Sequence, residues 1–303
     1  MNWKLIAISL SCASLLFLSA CGSDTAANTK TDNAAATAAN TADETPAASE
    51  ESPAATIAPA TAEEWQPILD EYRAFTIKEA DSLVIETEKF VNAVKAGELE
   101  TAKQLYAPSR MYYERIEPIA EALGDFDPHI DARENDVDEK EWRGFHRIEK
   151  ILWEENTTKG AEGYADTLLE DIKLLRALME TVEIEPSLLV TGAVELLNEV
   201  SSSKVTGEEE RYSHTDLYDF VANVEGAEKI YELLKPQLNK HDAQLEALIG
   251  TSFTSLDDAL AVYKDGDGYK SYLDLKEEDT KKLSQLLDAL AEPLSQMGKI
   301  LGA

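Results

Sequence analysis

The chain has 303 residues, with 59 acidic side chains against 28 basic ones and a formal net charge of −31. An acidic excess of this size excludes electrostatic capture of nucleic acid or of an anionic lipid surface and favours cations. With two Cys and four His there is neither a disulfide framework nor a Cys-based metal site, while 44% hydrophobic residues suffice for a real core.

Lys4 and the apolar run Leu5 to Leu18 have the pattern of an export signal, too short to span a membrane stably. Leu18-Ser19-Ala20-Cys21 resembles a bacterial lipobox. Residues 1–20 are therefore read as a lipoprotein signal peptide, with Cys21 as the lipidated residue that anchors the protein without a spanning helix. Residues 21–61 are rich in Ala, Thr, Asn, Asp and Glu, carry three Pro and no aromatic residue, and are expected to be a disordered tether.

From residue 62 to the end the periodicity is helical, and strand signals are missing. Trp65, Ile68, Leu69, Tyr72 and Phe75 open a first helix that stops at Gly97. A short helix from Glu98 is expected to end at Pro108, and a third to run from about Ser109 to Leu123. An acidic loop follows to Asp138, then an aromatic helix through Trp142, Phe145, Leu152 and Trp153. Tyr164, Leu168, Ile172, Leu175 and Met179 mark the next helix, and Pro186 suits the first turn of another. Ser213 with Asp216 reads as a capping box opening a helix that Pro236 should break, and the last helix, from about Glu277, should kink at Pro293. The fold class is all-α, built from helical bundles.

Two constellations on helices, and one in a loop, could carry chemistry. His146 and Glu149, three apart, share one face of the aromatic helix, as either two metal ligands or an ordinary i, i+3 pair. Glu114 and Glu117 sit three apart where Pro118 interrupts the helix, as oxygen ligands or as solvated carboxylates. Asp131, in the acidic loop between them, would complete an oxygen-rich site with a single imidazole. Asp265-Gly-Asp-Gly268 fails as a calcium loop, because Tyr263 stands where its first Asp belongs.

Tyr106-Ala-Pro-Ser-Arg110, Tyr113-Glu-Arg-Ile-Glu-Pro-Ile-Ala-Glu121, Asp131-Ala-Arg-Glu134, Gly144-Phe-His-Arg-Ile-Glu149, Asn156-Thr-Thr-Lys-Gly160, Arg211-Tyr-Ser-His-Thr-Asp-Leu217 and Asn223-Val-Glu-Gly226 together resemble the EfeO/EfeM family of imelysin-like proteins, also labelled peptidase family M75. The resemblance covers residues from about Trp65 to the C-terminus, so that 62–303 is expected to form an imelysin-like pair of four-helix bundles. It implies an extracytoplasmic iron-binding component that works with an Efe-type iron permease and a haem peroxidase. It also implies a metal site with His146 and Glu149 as its signature, Glu114, Glu117 and Asp131 as further ligands, and Glu209 beside them. The tether stands where EfeO carries a cupredoxin domain, so the chain resembles the EfeM type.

The function expected is a lipid-anchored binding protein for Fe³⁺ or Fe²⁺, able to take Zn²⁺ or Cu²⁺ in vitro, and not an enzyme. It would reside outside the cytoplasm: in the periplasm, at the outer membrane of a Gram-negative cell, or on the outer face of a Gram-positive cell membrane. Two other readings compete: an M75-type metallopeptidase, and a surface protein that binds anionic polysaccharide through a bridging cation.

Overall fold

The computed structural model describes residues 60–303. The expected signal peptide, Cys21 and all of the tether except Ala60 and Thr61 lie outside those residues. Helix α1 (Ala62–Ala96) starts at Thr61, whose Oγ1 accepts from the Glu64 N–H at 3.4 Å while the Glu64 carboxylate takes the Thr61 N–H at 2.9 Å. This reciprocal cap satisfies two amides that a helix start leaves unpaired. Gly97 ends the helix at φ 77°, a left-handed conformation that costs glycine little.

Next come α2 (Leu99–Glu114), α3 (Glu117–Glu121), α4 (Phe126–Ile130), α5 (Phe145–Trp153) and α6 (Glu162–Leu178). The second half holds α7 (Pro186–Ser202), α8 (Asp216–His241), α9 (Ala243–Ala261) and α10 (Glu277–Leu301). In the first half α1 packs on α2 and α6, with the short α5 against both of these; in the second, α7 and α9 each pack on α8 and α10. Helix α2 meets α8, and α3 meets α7, so the two halves share a seam and one continuous core. The all-α expectation holds. Among the described residues no helix is long and apolar enough to cross a membrane.

Four expectations from the sequence need correcting. Pro108 does not end a helix and Pro236 does not break one: α2 and α8 run through them. Both prolines are exposed, as are Gln104 and Glu232, four residues before each, so the carbonyls that lose a partner face water. The real break comes at Arg115–Ile116, just before Pro118 in the second position of α3. Ser213 and Asp216 form no capping box: Thr215 is the cap residue of α8, and Asp216 Oδ1 instead takes the Glu210 N–H at 3.1 Å. Finally, Lys264–Asp265 (β1) and Gly268–Tyr269 (β2) pair as a minimal antiparallel hairpin whose turn places Gly266 at φ 59°.

Candidate metal centre

The seam between the halves is lined with charge. Glu114, Glu117, Asp131, Glu149, Glu209, Glu210, Asp216 and Asp219 are all buried there, and the buried cationic side chains among them are Arg110, Lys204 and the titratable His146. Ionised carboxylates in such a place are costly unless paired, bonded or protonated.

His146 lies in the first turn of α5. The helix is aimed by Gly144, its N-cap residue at φ 91°, whose Cα approaches so closely that a Cβ there would fall on the Ile130 carbonyl. On the same face Glu149 is held from three sides. Its Oε1 accepts the backbone N–H groups of Tyr212 and Ser213 at 3.0 and 2.7 Å, and its Oε2 lies 3.2 Å from His146 Nδ1. That contact is favourable only with the proton on Nδ1, which directs Nε2 to the other side of the ring. There Nε2 is buried without a hydrogen-bond partner, 3.6 Å from Asp131 Oδ1 and 3.7 Å from Glu209 Oε1. Asp131, His146 and Glu209 thus bring ligand-type atoms close enough to share one ion, and His146, Glu149 and Glu210 form a second such group on the Nδ1 side.

Titration follows from these contacts. Burial and the Arg110 charge pull the His146 pKa down, but Glu149, Glu209 and Asp131 outweigh them and lift it to about 9. Burial raises Asp131 to about 6 against the pull of Arg110. Burial also acts to raise Glu209, but Lys204, His146 and Arg133 reverse it and hold that carboxyl well below the usual range.

Two cations organise the remaining acids. Arg110 is fully buried; it pairs with Asp131, with Glu114 at 2.6 Å, with Glu210 at 2.7 Å and with Asp219 at 3.3 Å, and its guanidinium lies 5.4 Å from the centre of the Phe145 ring. Lys204 reaches Glu114 at 2.8 Å and Glu117 at 3.1 Å. Asn223 Nδ2 donates to the same two carboxylates at 3.0 and 2.9 Å. A cavity of about 160 Å³ leads in beside Glu117, Asp131, Glu199 and Glu209, with Arg133 at its wall bonded to Glu209 at 2.8 Å.

The structure thus draws the six expected residues His146, Glu149, Glu114, Glu117, Asp131 and Glu209 into one buried network. Of the five acids among them, Asp131, Glu149 and Glu209 face the imidazole, whereas Glu114 and Glu117 close on Lys204. Arg110, Lys204, Glu210, Asp219 and Asn223 were missed as parts of the network. Arg110 carried a signal, four residues before Glu114 on one helix. Lys204 carried none, since it stands in a 3₁₀ turn within a polar stretch.

The imelysin family profile (Peptidase_M75) matches residues 68–297. An Efem/EfeO family lipoprotein of Staphylococcus haemolyticus (strain JCSC1435) is 51% identical over 243 residues, covering 78% of this chain and 84% of the relative. The iron uptake system components EfeO of Escherichia coli (strain K12) and of Shigella flexneri are each 47% identical over 235 residues, covering 76% of this chain. The chain spans 63% of the length of these two. With the fold, the seam and these likenesses together, the chain belongs to the imelysin family, on its EfeO/EfeM branch.

Proposed function

We propose that this protein is the extracytoplasmic iron-binding component of an Efe-type uptake system, anchored by lipid on Cys21. The observation that carries the reading is His146 Nε2, a buried nitrogen without a hydrogen-bond partner, facing Asp131 and Glu209, two acids that also line a carboxylate-rich cavity. Asp131, His146 and Glu209 are the ligands, and Glu149 fixes the ring. Glu114 and Glu117 supply further negative charge behind them. One imidazole among hard oxygens suits Fe³⁺ or Fe²⁺ and also accepts Zn²⁺ or Cu²⁺, since such a set selects poorly by affinity. The names of the relatives support iron as the cargo. An iron permease and a haem peroxidase are the partners proposed, with the outer face of a membrane as the place.

We read the site as a holder of metal and not a hydrolase. Glu149, the acid nearest the ring, has both oxygens engaged by His146, Tyr212 and Ser213, which leaves it poorly placed as a general base.

The test is a calorimetric titration of the purified protein with Fe³⁺ kept soluble by citrate, beside His146→Ala. The parent should bind one ion, and the variant should lose about 100-fold or more in affinity. Equal binding by both would mean that the acidic surface merely collects cations. A peptidase assay and a titration with uronate oligomers, each with and without metal, then decide between the other readings.

A further inference from the structure

Lys204 is the one lysine among the described residues that is fully buried, and its ammonium pairs with acids. Its Nζ touches Glu114 Oε2 at 2.8 Å and Glu117 Oε2 at 3.1 Å, and lies 4.0 Å from Glu209 Oε1. Three carboxylates around one small cation, with Asn223 bracing two of them, are what an oxygen-coordinated metal ion asks of a protein. We propose that the Lys204 ammonium is a built-in cation that fills a second subsite between Glu114, Glu117 and Glu209, and so holds the protein to one bound metal ion at His146. The inference rests on the proposed metal site and adds what limits its stoichiometry.

Two further features support it. The turn that carries Lys204 is pinned: Tyr272 OH donates to the Val205 carbonyl at 2.6 Å, and a Cβ on Gly207 would come within 2.9 Å of the Tyr272 ring. The ammonium is thus delivered from a fixed base and not from a mobile arm. Glu209 Oε1 also lies between the two positions, 3.7 Å from His146 Nε2 and 4.0 Å from Lys204 Nζ. The cavity is lined by Glu117 and Glu209 as well as by Asp131, so an entering ion meets acids of both subsites, and Lys204 already pairs with those of one. Without the ammonium, Glu114 and Glu117 would lie buried with too little positive charge, and a second divalent ion would satisfy them.

Equilibrium dialysis with Zn²⁺ as a redox-inert probe tests this, with bound metal counted per chain for the parent, Lys204→Met, Lys204→Arg and Lys204→Met/Glu117→Gln. One ion is expected in the parent and in Lys204→Arg, two in Lys204→Met, and one again in the double variant. Should Lys204→Met be unfolded without metal, its circular dichroism is followed as Zn²⁺ is added. Refolding with two ions per chain supports the inference, and a chain that stays unfolded overturns it. One ion in both the parent and a folded Lys204→Met overturns the inference and leaves the metal site standing, whereas a parent that binds no ion overturns both.

Discussion

Glu149 holds His146 by Nδ1 at 3.2 Å while its other oxygen is fastened by the Tyr212 and Ser213 amides. A histidine tied this way on one nitrogen is pre-set to offer the other. Substituting Glu149→Gln keeps the shape but leaves one acceptor where two are needed. Metal affinity should fall about 10- to 100-fold, the range found when the partner that orients a ligating histidine is removed. Calorimetry checks it, and circular dichroism should show helicity unchanged. An unaltered affinity would sink the assignment of Nε2 as the ligand atom.

Gly144→Ala should disturb the same ring from further away. A methyl group there collides with the Ile130 carbonyl, at a backbone φ of 91° that alanine avoids. The start of α5 must move, carrying His146 with it. A loss of about 2–3 kcal/mol in stability is expected, read from urea unfolding. Metal affinity should fall as well, although the residue touches no ligand.

Arg110→Met removes the guanidinium that Glu114, Asp131, Glu210 and Asp219 share. Leaving buried acids without their counter-ion should cost about 3–5 kcal/mol at pH 7.5. Arg110→Lys should recover only part of this, because a single ammonium cannot reproduce the fork that spans four carboxylates. Urea unfolding of the two variants side by side checks the order.

A pH dependence arises away from the site. Glu228 lies on α8 in a surface groove with Glu79, Arg115, Glu225, Lys229 and Glu232. Burial, and then Asp257 on α9 with Glu232 and Glu225, raises its pKa from 4.5 to about 6. The folded state therefore binds more protons than the unfolded chain between those values, and this contribution to stability falls as pH rises through about 6. Glu228→Gln removes the penalty. Its Tm should exceed the parent's by about 2 °C at pH 7.5, with the difference gone near pH 4.5. A gain that persists at low pH would mean that charge is not the cause.

The helices were legible because their apolar residues recur at 3.6-residue spacing, as from Leu83 through Phe90 to Val94, each fully buried. The prolines misled because a local rule cannot tell which side of a helix faces water. Pro108 and Pro236 are harmless only because the exposed side carries them. In the site, pairs close in sequence carried a signal, read for His146 with Glu149 and overlooked for Arg110 with Glu114, and pairs across the seam carried none. His146 and Glu149 follow from one helix turn. That Glu114 and Glu117 turn toward Lys204, some 90 residues on, is decided by how α3, α7 and the turn at Lys204 meet. A lone lysine in a polar stretch gives no periodic signal, and only tertiary packing reveals it as the cation of a buried cluster.

The seam itself has a mechanical side. Asp131 and His146 belong to the first group of helices, while Glu209 stands in the segment leading into α8. An ion gripped by all three is a rivet driven through both plates. Its binding free energy adds to the work of prying them apart, by RT ln(1 + [L]/Kd). A protease, a denaturant or a docking partner would then sense cargo through how firmly the halves are fastened, without touching the ion.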